Sequence, residues 1–144
     1  RASSSGGAAG LLSERIIAMG GVVSGVVYDD KMHPVHRIAR TDKELSALRG
    51  SKYVQSAMGN IYSELKCELE KGIPVLATGT PCQIAAIKNY FGDRYENLYT
   101  MDLICHGVQS PVVFENYIAQ LEEQYGKKVT DFKFRDKTKG WKKN

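Results

Sequence analysis

The sequence has few cysteines and no long apolar run, and each absence excludes a class of protein. Three cysteines in 144 residues are too few for a disulfide-stabilised secreted domain. No segment approaches the roughly 20 apolar residues that span a bilayer. Repeats and low-complexity tracts are also missing, which argues against solenoids and disordered chains. With 42% hydrophobic and 25% charged residues, the composition is that of a globular domain.

The positive charge is concentrated near the end of the chain. Residues 127–143 hold eight Lys or Arg and two Asp, whereas the other residues hold twelve Lys or Arg and fourteen Asp or Glu. A basic, aromatic-containing tail is compatible with nucleic acid and equally with an edge strand protected by lysines. We favour the second interpretation and expect no nucleic-acid partner.

The spacing of apolar residues predicts an α/β fold. We expect a mixed sheet with a βαβ unit, flanking helices and an N-terminal β-hairpin. The predicted strands are residues 22–28, 35–38, 73–77, 98–104 and 129–135. Predicted helices follow Ser5, Thr41, Thr80 and Ser110, and a further helix carries Ile61, Leu65 and Leu69 on one face. The strands at 73–77 and 98–104 should run parallel, joined by the helix at 81–91.

Gly79-Thr-Pro-Cys-Gln83 is the most informative motif. Thr80 suits the N-cap of the following helix, Pro81 its first position, and Gln83 completes a capping box. Cys82 then lies in the first turn, where the helix dipole and free backbone N–H groups stabilise a thiolate. Such a cysteine suits a metal ligand or a nucleophile.

A second cysteine, Cys105, closes the next predicted strand. If the βαβ unit forms, Cys82 and Cys105 lie at the carboxyl edge of adjacent parallel strands, where open α/β sheets place their sites. Two thiolates are half of the ligands that an iron–sulfur or zinc site needs. We interpret His106 as a hydrogen-bonding residue rather than a third ligand, and Cys67, on the polar side of a helix, as incidental.

Two polar segments are candidate anion sites. Ser3-Ser-Ser-Gly-Gly7 precedes a helix and lets the backbone approach a phosphate. The stretch from Arg49 to Ser56 combines two cations with hydroxyls and an amide. Either segment is also compatible with a simple solvated connection.

Several motifs together resemble one family. In order along the chain they are Ser3-Ser-Ser-Gly-Gly7, Gly20-Gly-Val-Val23, Leu48-Arg-Gly-Ser-Lys-Tyr-Val-Gln-Ser56, Gly79-Thr-Pro-Cys-Gln83, Asp102-Leu-Ile-Cys-His-Gly-Val108, Ser110-Pro111, and Phe134-Arg-Asp-Lys through Lys139-Gly-Trp141. Their order and spacing are similar to those of the coenzyme F420 hydrogenase/dehydrogenase beta-subunit family.

The resemblance implies an oxidoreductase subunit that carries FAD and a 4Fe–4S cluster. Its members pass electrons between a reduced deazaflavin coenzyme, or another donor such as ferredoxin, and a partner enzyme. The family's cluster cysteines match Cys82 and Cys105, and the others lie in a downstream Cys-x-x-Cys segment. The resemblance leads us to expect flavin or deazaflavin contacts from the two polar segments. The candidates are Ser4, Ser5, Gly6, Gly7, Lys52, Tyr53, Gln55 and Thr80.

The chain begins with Arg1 and ends at Asn144 without a turn signal. We therefore interpret residues 1–144 as a single-domain fragment of a longer flavin and iron–sulfur subunit, with half of a cluster site and no activity alone. Redox partner subunits or ferredoxin are the expected partners. The few cysteines and the lack of a secretion signal predict the cytoplasm.

Two other interpretations of the sequence remain open. Cys82 could be a low-pKa nucleophile of a thiol-dependent enzyme. Alternatively, the chain could be a non-catalytic interaction domain, in which case the downstream Cys-x-x-Cys would be absent.

Overall fold

A computed structural model describes residues 7–135 of the chain. Over these residues the chain forms helices and strands that alternate as an α/β protein. They are α1 (Ala8–Ala18), β1 (Val22–Tyr28), β2 (Pro34–Ala39), α2 (Asp42–Leu48), α3 (Ile61–Glu70), β3 (Val75–Gly79), α4 (Pro81–Phe91), β4 (Leu98–Asp102) and α5 (Pro111–Tyr125). Within this range, no helix combines the length and apolar character that crossing a bilayer requires.

The strands form one mixed sheet in the order β2-β1-β3-β4. β1 and β2 pair antiparallel as a hairpin, whereas β1 pairs parallel with β3 and β3 parallel with β4. The predicted mixed sheet, hairpin and βαβ unit are confirmed. The carboxyl ends of β3 and β4 therefore lie side by side.

Alternating side chains of the central strands build a core on each face of the sheet. On one face, Val22 and Val75 pack with the apolar side of α3 and α4, including Leu65 and Ile87. On the other face, Val23 packs in a second cluster with residues of α1 and α2. Successive residues of a strand point to opposite faces, so these continuously apolar strands are buried on both sides.

A third apolar cluster holds α5 beside the hairpin turn. Phe114 and Ile118 of α5 are buried with Met32 and Val54. The segment after α5 contributes aromatic rings to this cluster, and the ring centroid of Phe134 lies 5.6 Å from that of Phe114. The strand predicted at 129–135 is wrong, because this segment has no strand pairing with the described residues. Its alternating Phe residues pack on α5 instead.

The boundaries of three predicted strands also differ, and β2 is one residue longer at each end than the predicted 35–38. β3 begins at Val75 rather than residue 73 and continues to Gly79. Pro74 has no N–H for a strand ladder, whereas Gly79 still pairs with Asp102. β4 ends at Asp102 rather than residue 104, and Ile104 is 93% exposed.

The helix starts follow from local capping chemistry. α2 begins with a capping box in which Thr41 and Glu44 each accept the other's backbone N–H at 3.2 Å. α1 begins after Gly7, whose φ of 89° is a left-handed conformation that favours glycine. The predicted cap, Ser5, lies outside the described residues, and the N-cap position belongs to Gly7.

Candidate functional site

Cys82 occupies the first turn of α4, as the motif predicts. Thr80 is the N-cap and Pro81 the first helical residue. The side-chain oxygen of Gln83 accepts the backbone N–H of Thr80 at 3.0 Å, which forms the Gln83 half of the predicted capping box. The Cys82 thiol is exposed and lies 3.1 Å from the Thr80 hydroxyl. An exposed thiol at a helix N-terminus is accessible to a metal or an electrophile.

Cys105 lies three residues after the end of β4 and is also exposed. The backbone N–H of Gly107 donates to its sulfur at 3.4 Å, a contact that stabilises negative charge on sulfur. Because β3 and β4 are adjacent and parallel, Cys82 and Cys105 follow neighbouring strand ends. We call this carboxyl end of β3 and β4 the cysteine edge.

Other metal-ligating side chains do not complete a site in the described part of the chain. Among residues 7–135, no three His, Cys, Asp or Glu side chains are grouped so that they could hold a metal ion. His106 is exposed beside Cys105. Cys67 is exposed on α3, as expected for an incidental cysteine. Among the described residues, Cys82 and Cys105 are therefore two exposed thiols that follow neighbouring strand ends.

The polar segment at 49–56 lies against the chain that follows Cys105. The backbone N–H of Gln55 donates to the Gln109 carbonyl at 3.1 Å, and the Gln109 N–H donates to the Tyr53 carbonyl at 3.2 Å. These bonds form a short parallel bridge between Val54 and Gln109. Two candidate flavin contacts, Tyr53 and Gln55, are thereby fixed to the segment that leaves the Cys105 motif.

The same polar segment reaches the Cys82 helix at its other end. The amide nitrogen of Gln83 donates to the Ser56 hydroxyl oxygen at 2.9 Å. One polar segment thus contacts both cysteine-bearing segments. The structure therefore ties Tyr53 and Gln55 to the segment after Cys105, and Ser56 to the helix that Thr80 begins. Lys52 contacts the end of α2 and the Tyr28 ring instead.

Lys52 has a structural role that sequence analysis missed. Its ammonium group donates to backbone carbonyls at the end of α2, with distances of 3.2 Å to Arg49, 3.3 Å to Gly50 and 3.4 Å to Ala47. It also lies 5.8 Å from the centroid of the Tyr28 ring. A cation here compensates the negative end of the helix dipole.

Burial perturbs two titratable groups around this cation. Desolvation lowers the pKa of Lys52 to about 8, and Asp131 opposes that shift. Desolvation, with a smaller contribution from Asp131, raises the pKa of Tyr28 to about 12. Tyr28 therefore stays neutral at physiological pH.

The middle of α1 is connected to the same segment. Arg49 forms a 2.8 Å ion pair with Glu14 of α1. α1 leads through a tight turn into β1, so it runs back along the sheet and its N-terminus points toward the carboxyl ends of the parallel strands. Gly7 opens this helix. Ser4, Ser5 and Gly6 lie outside the described residues, so their predicted role as a phosphate turn stays a prediction.

Two residues of the site, His36 and Ser56, had no signal of their own in the sequence. His36 is buried in β2, and its ring nitrogen Nδ1 lies 3.3 Å from the Ser56 hydroxyl. Ser56 belongs to the polar segment but has no distinguishing neighbour in sequence. Gln83 was identified only as a capping residue. Contacts between buried polar side chains of separate segments leave no periodic pattern in the sequence.

Comparisons with known proteins support the family resemblance. A family model for the C terminus of the coenzyme F420 hydrogenase/dehydrogenase beta subunit matches residues 74–144. No sequence among the curated proteins matches. A chain in a structure described as a xenon derivatization of the F420-reducing NiFe hydrogenase complex from Methanosarcina barkeri is similar in fold. Its TM-score is 0.59 at 20% identity, over 87% of this chain and 45% of that chain. The present sequence thus spans less than half of that chain.

Proposed function

We propose that this chain forms part of an electron-transfer subunit that holds FAD and a 4Fe–4S cluster, because a model of the coenzyme F420 hydrogenase/dehydrogenase beta-subunit family matches residues 74–144. The family is one of oxidoreductase subunits. Its matched region includes both Cys82 and Cys105.

One observation carries the proposal. Within the polar segment at 49–56, Tyr53 and Gln55 are hydrogen-bonded to Gln109, four residues after Cys105. Ser56 of the same segment is hydrogen-bonded to Gln83, which follows Cys82. A segment with candidate flavin contacts is therefore bonded to both of the segments that carry the exposed thiols. Electron transfer between a flavin and a cluster requires this proximity.

Cys82 and Cys105 are the proposed cluster ligands in this chain. Both thiols are exposed, and both lie near backbone N–H groups, at the start of α4 and at Gly107. Hydrogen bonds to ligating sulfurs are among the features that set a cluster's reduction potential. Two further thiolates are needed and would come from outside the described residues.

The flavin contacts are proposed for Lys52, Tyr53, Gln55 and Thr80, together with Ser4, Ser5, Gly6 and Gly7. Lys52 supplies a positive charge, and the helix start at Gly7 supplies backbone donors for phosphate. Bound FAD would supply the conversion of a two-electron hydride into single electrons. The protein's part is to orient the flavin beside the cysteine edge and to exclude water.

The donor and the partners follow from the family. A reduced deazaflavin coenzyme is the proposed donor, and redox partner subunits or ferredoxin are the proposed exchange partners. The structural neighbour is part of a hydrogenase complex, which supports partner subunits. The cytoplasm is the proposed location.

The test uses the full-length protein purified without oxygen. We expect a brown or yellow protein that contains iron, acid-labile sulfide and FAD. Cys82→Ser and Cys105→Ser should each lower the iron content severely, whereas Cys67→Ser, the matched control on α3, should leave iron unchanged. A colourless protein, or equal iron in all three variants, would refute the cluster assignment.

A thiol-dependent enzyme is the second candidate, because the Cys82 sulfur is exposed and lies 3.1 Å from the Thr80 hydroxyl at a helix start. In that case the full-length protein would be colourless, and Cys82→Ser would abolish covalent labelling by an electrophile without affecting iron or flavin. Cys105→Ser would have no comparable effect.

A further inference from the structure

Three polar side chains meet in the interior between β2, the polar segment and α4. The Ser56 hydroxyl lies 2.9 Å from the amide nitrogen of Gln83 and 3.3 Å from Nδ1 of His36. All three residues are buried, with exposed fractions of 3% for His36, 8% for Ser56 and 6% for Gln83. The side-chain oxygen of Gln83 extends the connection to the backbone N–H of Thr80 at 3.0 Å.

Donor and acceptor chemistry fixes the direction of the Gln83 hydrogen bond. An amide nitrogen can only donate, so the Ser56 oxygen accepts from Gln83. The Ser56 hydroxyl and Nδ1 of His36 share the second hydrogen bond, and the imidazole tautomer sets which of the two donates. Burial lowers the pKa of His36, which favours the neutral ring. The connection therefore runs without interruption from His36 to the backbone of Thr80.

A glycine leaves room for this arrangement. A Cβ at Gly79 would lie 3.0 Å from the side-chain oxygen of Gln83 and 3.7 Å from Nε2 of His36. His36 is itself held by a 2.9 Å backbone bond from its N–H to the carbonyl of Ala57, the residue after Ser56. The strand, the polar segment and the helix start are thereby fixed to one another.

Stability alone does not account for polar groups at this position. Burying three polar side chains costs desolvation, and an apolar set of similar shape would often be as stable or more so. The hydrogen bonds between these polar side chains instead fix the positions of the two segments that they connect. One end fixes the Thr80–Cys82 turn, and the other fixes the end of the polar segment that carries Lys52, Tyr53 and Gln55.

We propose that His36, Ser56 and Gln83 form a positioning relay that couples the Cys82 helix start to the segment at 52–56. The inference deepens the proposed function and rests on it for the identity of the two groups being aligned. In this relay, Ser56 is the shared contact and Gln83 the residue that acts on the Cys82 turn. Loss of Ser56 should loosen both the cluster ligand and the flavin contacts at once.

Hydrogen exchange of the full-length, as-purified protein tests the coupling directly. We expect Ser56→Ala to accelerate amide exchange severalfold in peptides covering 80–84 and, together with them, in peptides covering 52–56. Ser24→Ala is the matched control, because Ser24 is a buried serine like Ser56, but its hydroxyl has no hydrogen-bond partner among the described residues. Ser24→Ala should leave the amide exchange rate of both peptides unchanged.

Iron retention supplies the second measurement. Ser56→Ala should release iron to a chelator at least severalfold faster and shift the spectroscopic signature of the reduced cluster, whereas Ser24→Ala should match the wild type. Ser56→Thr, which keeps the hydroxyl, should restore most of the retention. If Ser56→Ala does not fold, Gln83→Met replaces it, since Met keeps the side-chain length and loses both hydrogen bonds.

The outcomes separate the relay from the proposed function. If Ser56→Ala leaves exchange at 80–84 unchanged, or raises it uniformly along the chain as global destabilisation would, the relay is wrong. If Ser56→Ala accelerates hydrogen exchange in both peptides but Cys82→Ser retains all of its iron, the cluster assignment is wrong and the relay stands. If Cys82→Ser loses iron while Ser56→Ala releases it at the wild-type rate, the relay is overturned and the cluster assignment stands.

Discussion

The backbone N–H of Leu103 donates to the carbonyl oxygen of Gly79 at 3.0 Å. This bond follows the final residue pair of β3 and β4, at the point where the two segments diverge. Beyond it, Thr80 enters α4 while the segment after Leu103 turns outward. Cys82 and Cys105 lie three and two residues past this bond, so the geometry of the sheet itself brings the two cysteine-bearing segments together.

Replacement of Lys52 should weaken flavin binding. Lys52→Ala removes a charge-assisted contact, which is worth about 1.5–3 kcal/mol, or roughly ten- to hundredfold in affinity. Because the pKa of Lys52 is lowered to about 8, flavin affinity of the wild type should also weaken as pH rises above 8. Fluorescence titration of the flavin-free full-length protein measures both effects.

Lys43→Ala is the control for this experiment, since Lys43 is an exposed lysine on α2. It should leave flavin affinity and iron content unchanged, and Lys52→Ala should leave iron unchanged as well. Wild-type affinity in Lys52→Ala, combined with a lower melting temperature, would mean that Lys52 only caps α2.

The buried imidazole of His36 should make stability depend on pH. Its folded pKa lies below the ordinary 6.5 because of desolvation, so the unfolded chain takes up a proton first as pH falls. The free energy of unfolding should therefore decrease as pH drops below about 6.5, by at most about 1.4 kcal/mol per pH unit. Urea denaturation of the full-length protein between pH 7.5 and 5.5 measures the slope.

His36→Gln should remove this component, because glutamine does not titrate. Its unfolding free energy should be lower than that of the wild type at pH 7.5, and the difference should shrink toward pH 5.5. Parallel slopes for the two proteins would show that other groups cause the pH dependence.

The turn between α1 and β1 should not accept a side chain at Gly21. A Cβ there would lie 2.5 Å from the Pro74 carbonyl oxygen and 2.7 Å from Cγ2 of Ile16. The backbone contact cannot move aside, so Gly21→Ala should lower the free energy of unfolding by about 2–3 kcal/mol. Gly10→Ala in α1 meets no described atom within 4 Å and should raise it by about 0.5 kcal/mol. Equal effects in thermal denaturation would contradict the packing described.

The carboxylate of Glu68 should contribute more to stability than an exposed one. Its side chain is 7% exposed and pairs with Arg40 at 2.8 Å and with Lys71 at 3.2 Å. Because both cations are about half exposed, Glu68→Gln should cost about 1–2 kcal/mol at pH 7.

The pKa of Glu68 is lowered, chiefly by the Arg40 hydrogen bond. Its contribution is therefore present above the ordinary value of 4.5 and is lost as pH falls through the lower folded value. Denaturation at pH 7 and pH 3 should show the deficit of Glu68→Gln shrinking in acid. Glu70→Gln, in the exposed pair with Lys66, should cost less than about 0.5 kcal/mol at either pH.

The sequence by itself determined the elements whose causes are local. Apolar periodicity predicted helices and strands, and the residues Thr80, Pro81 and Gln83 were sufficient to start α4 at the right position. The rule that parallel strands share an edge placed Cys82 and Cys105 together. The motifs also resembled those of the family whose model matches residues 74–144, a likeness that no pattern of periodicity or charge could have shown.

Only the tertiary structure decided what the polar side chains contact. The alternating Phe132 and Phe134 predict a strand by their period, yet they pack on Phe114 because α5 offers an apolar surface. Lys52 caps α2, and His36 meets Ser56, through contacts that depend on how separate segments pack. Local sequence encodes backbone preference and burial, whereas the partner of a buried polar group is set by residues distant in the chain. The relay from His36 to the Cys82 turn is therefore a property of the fold.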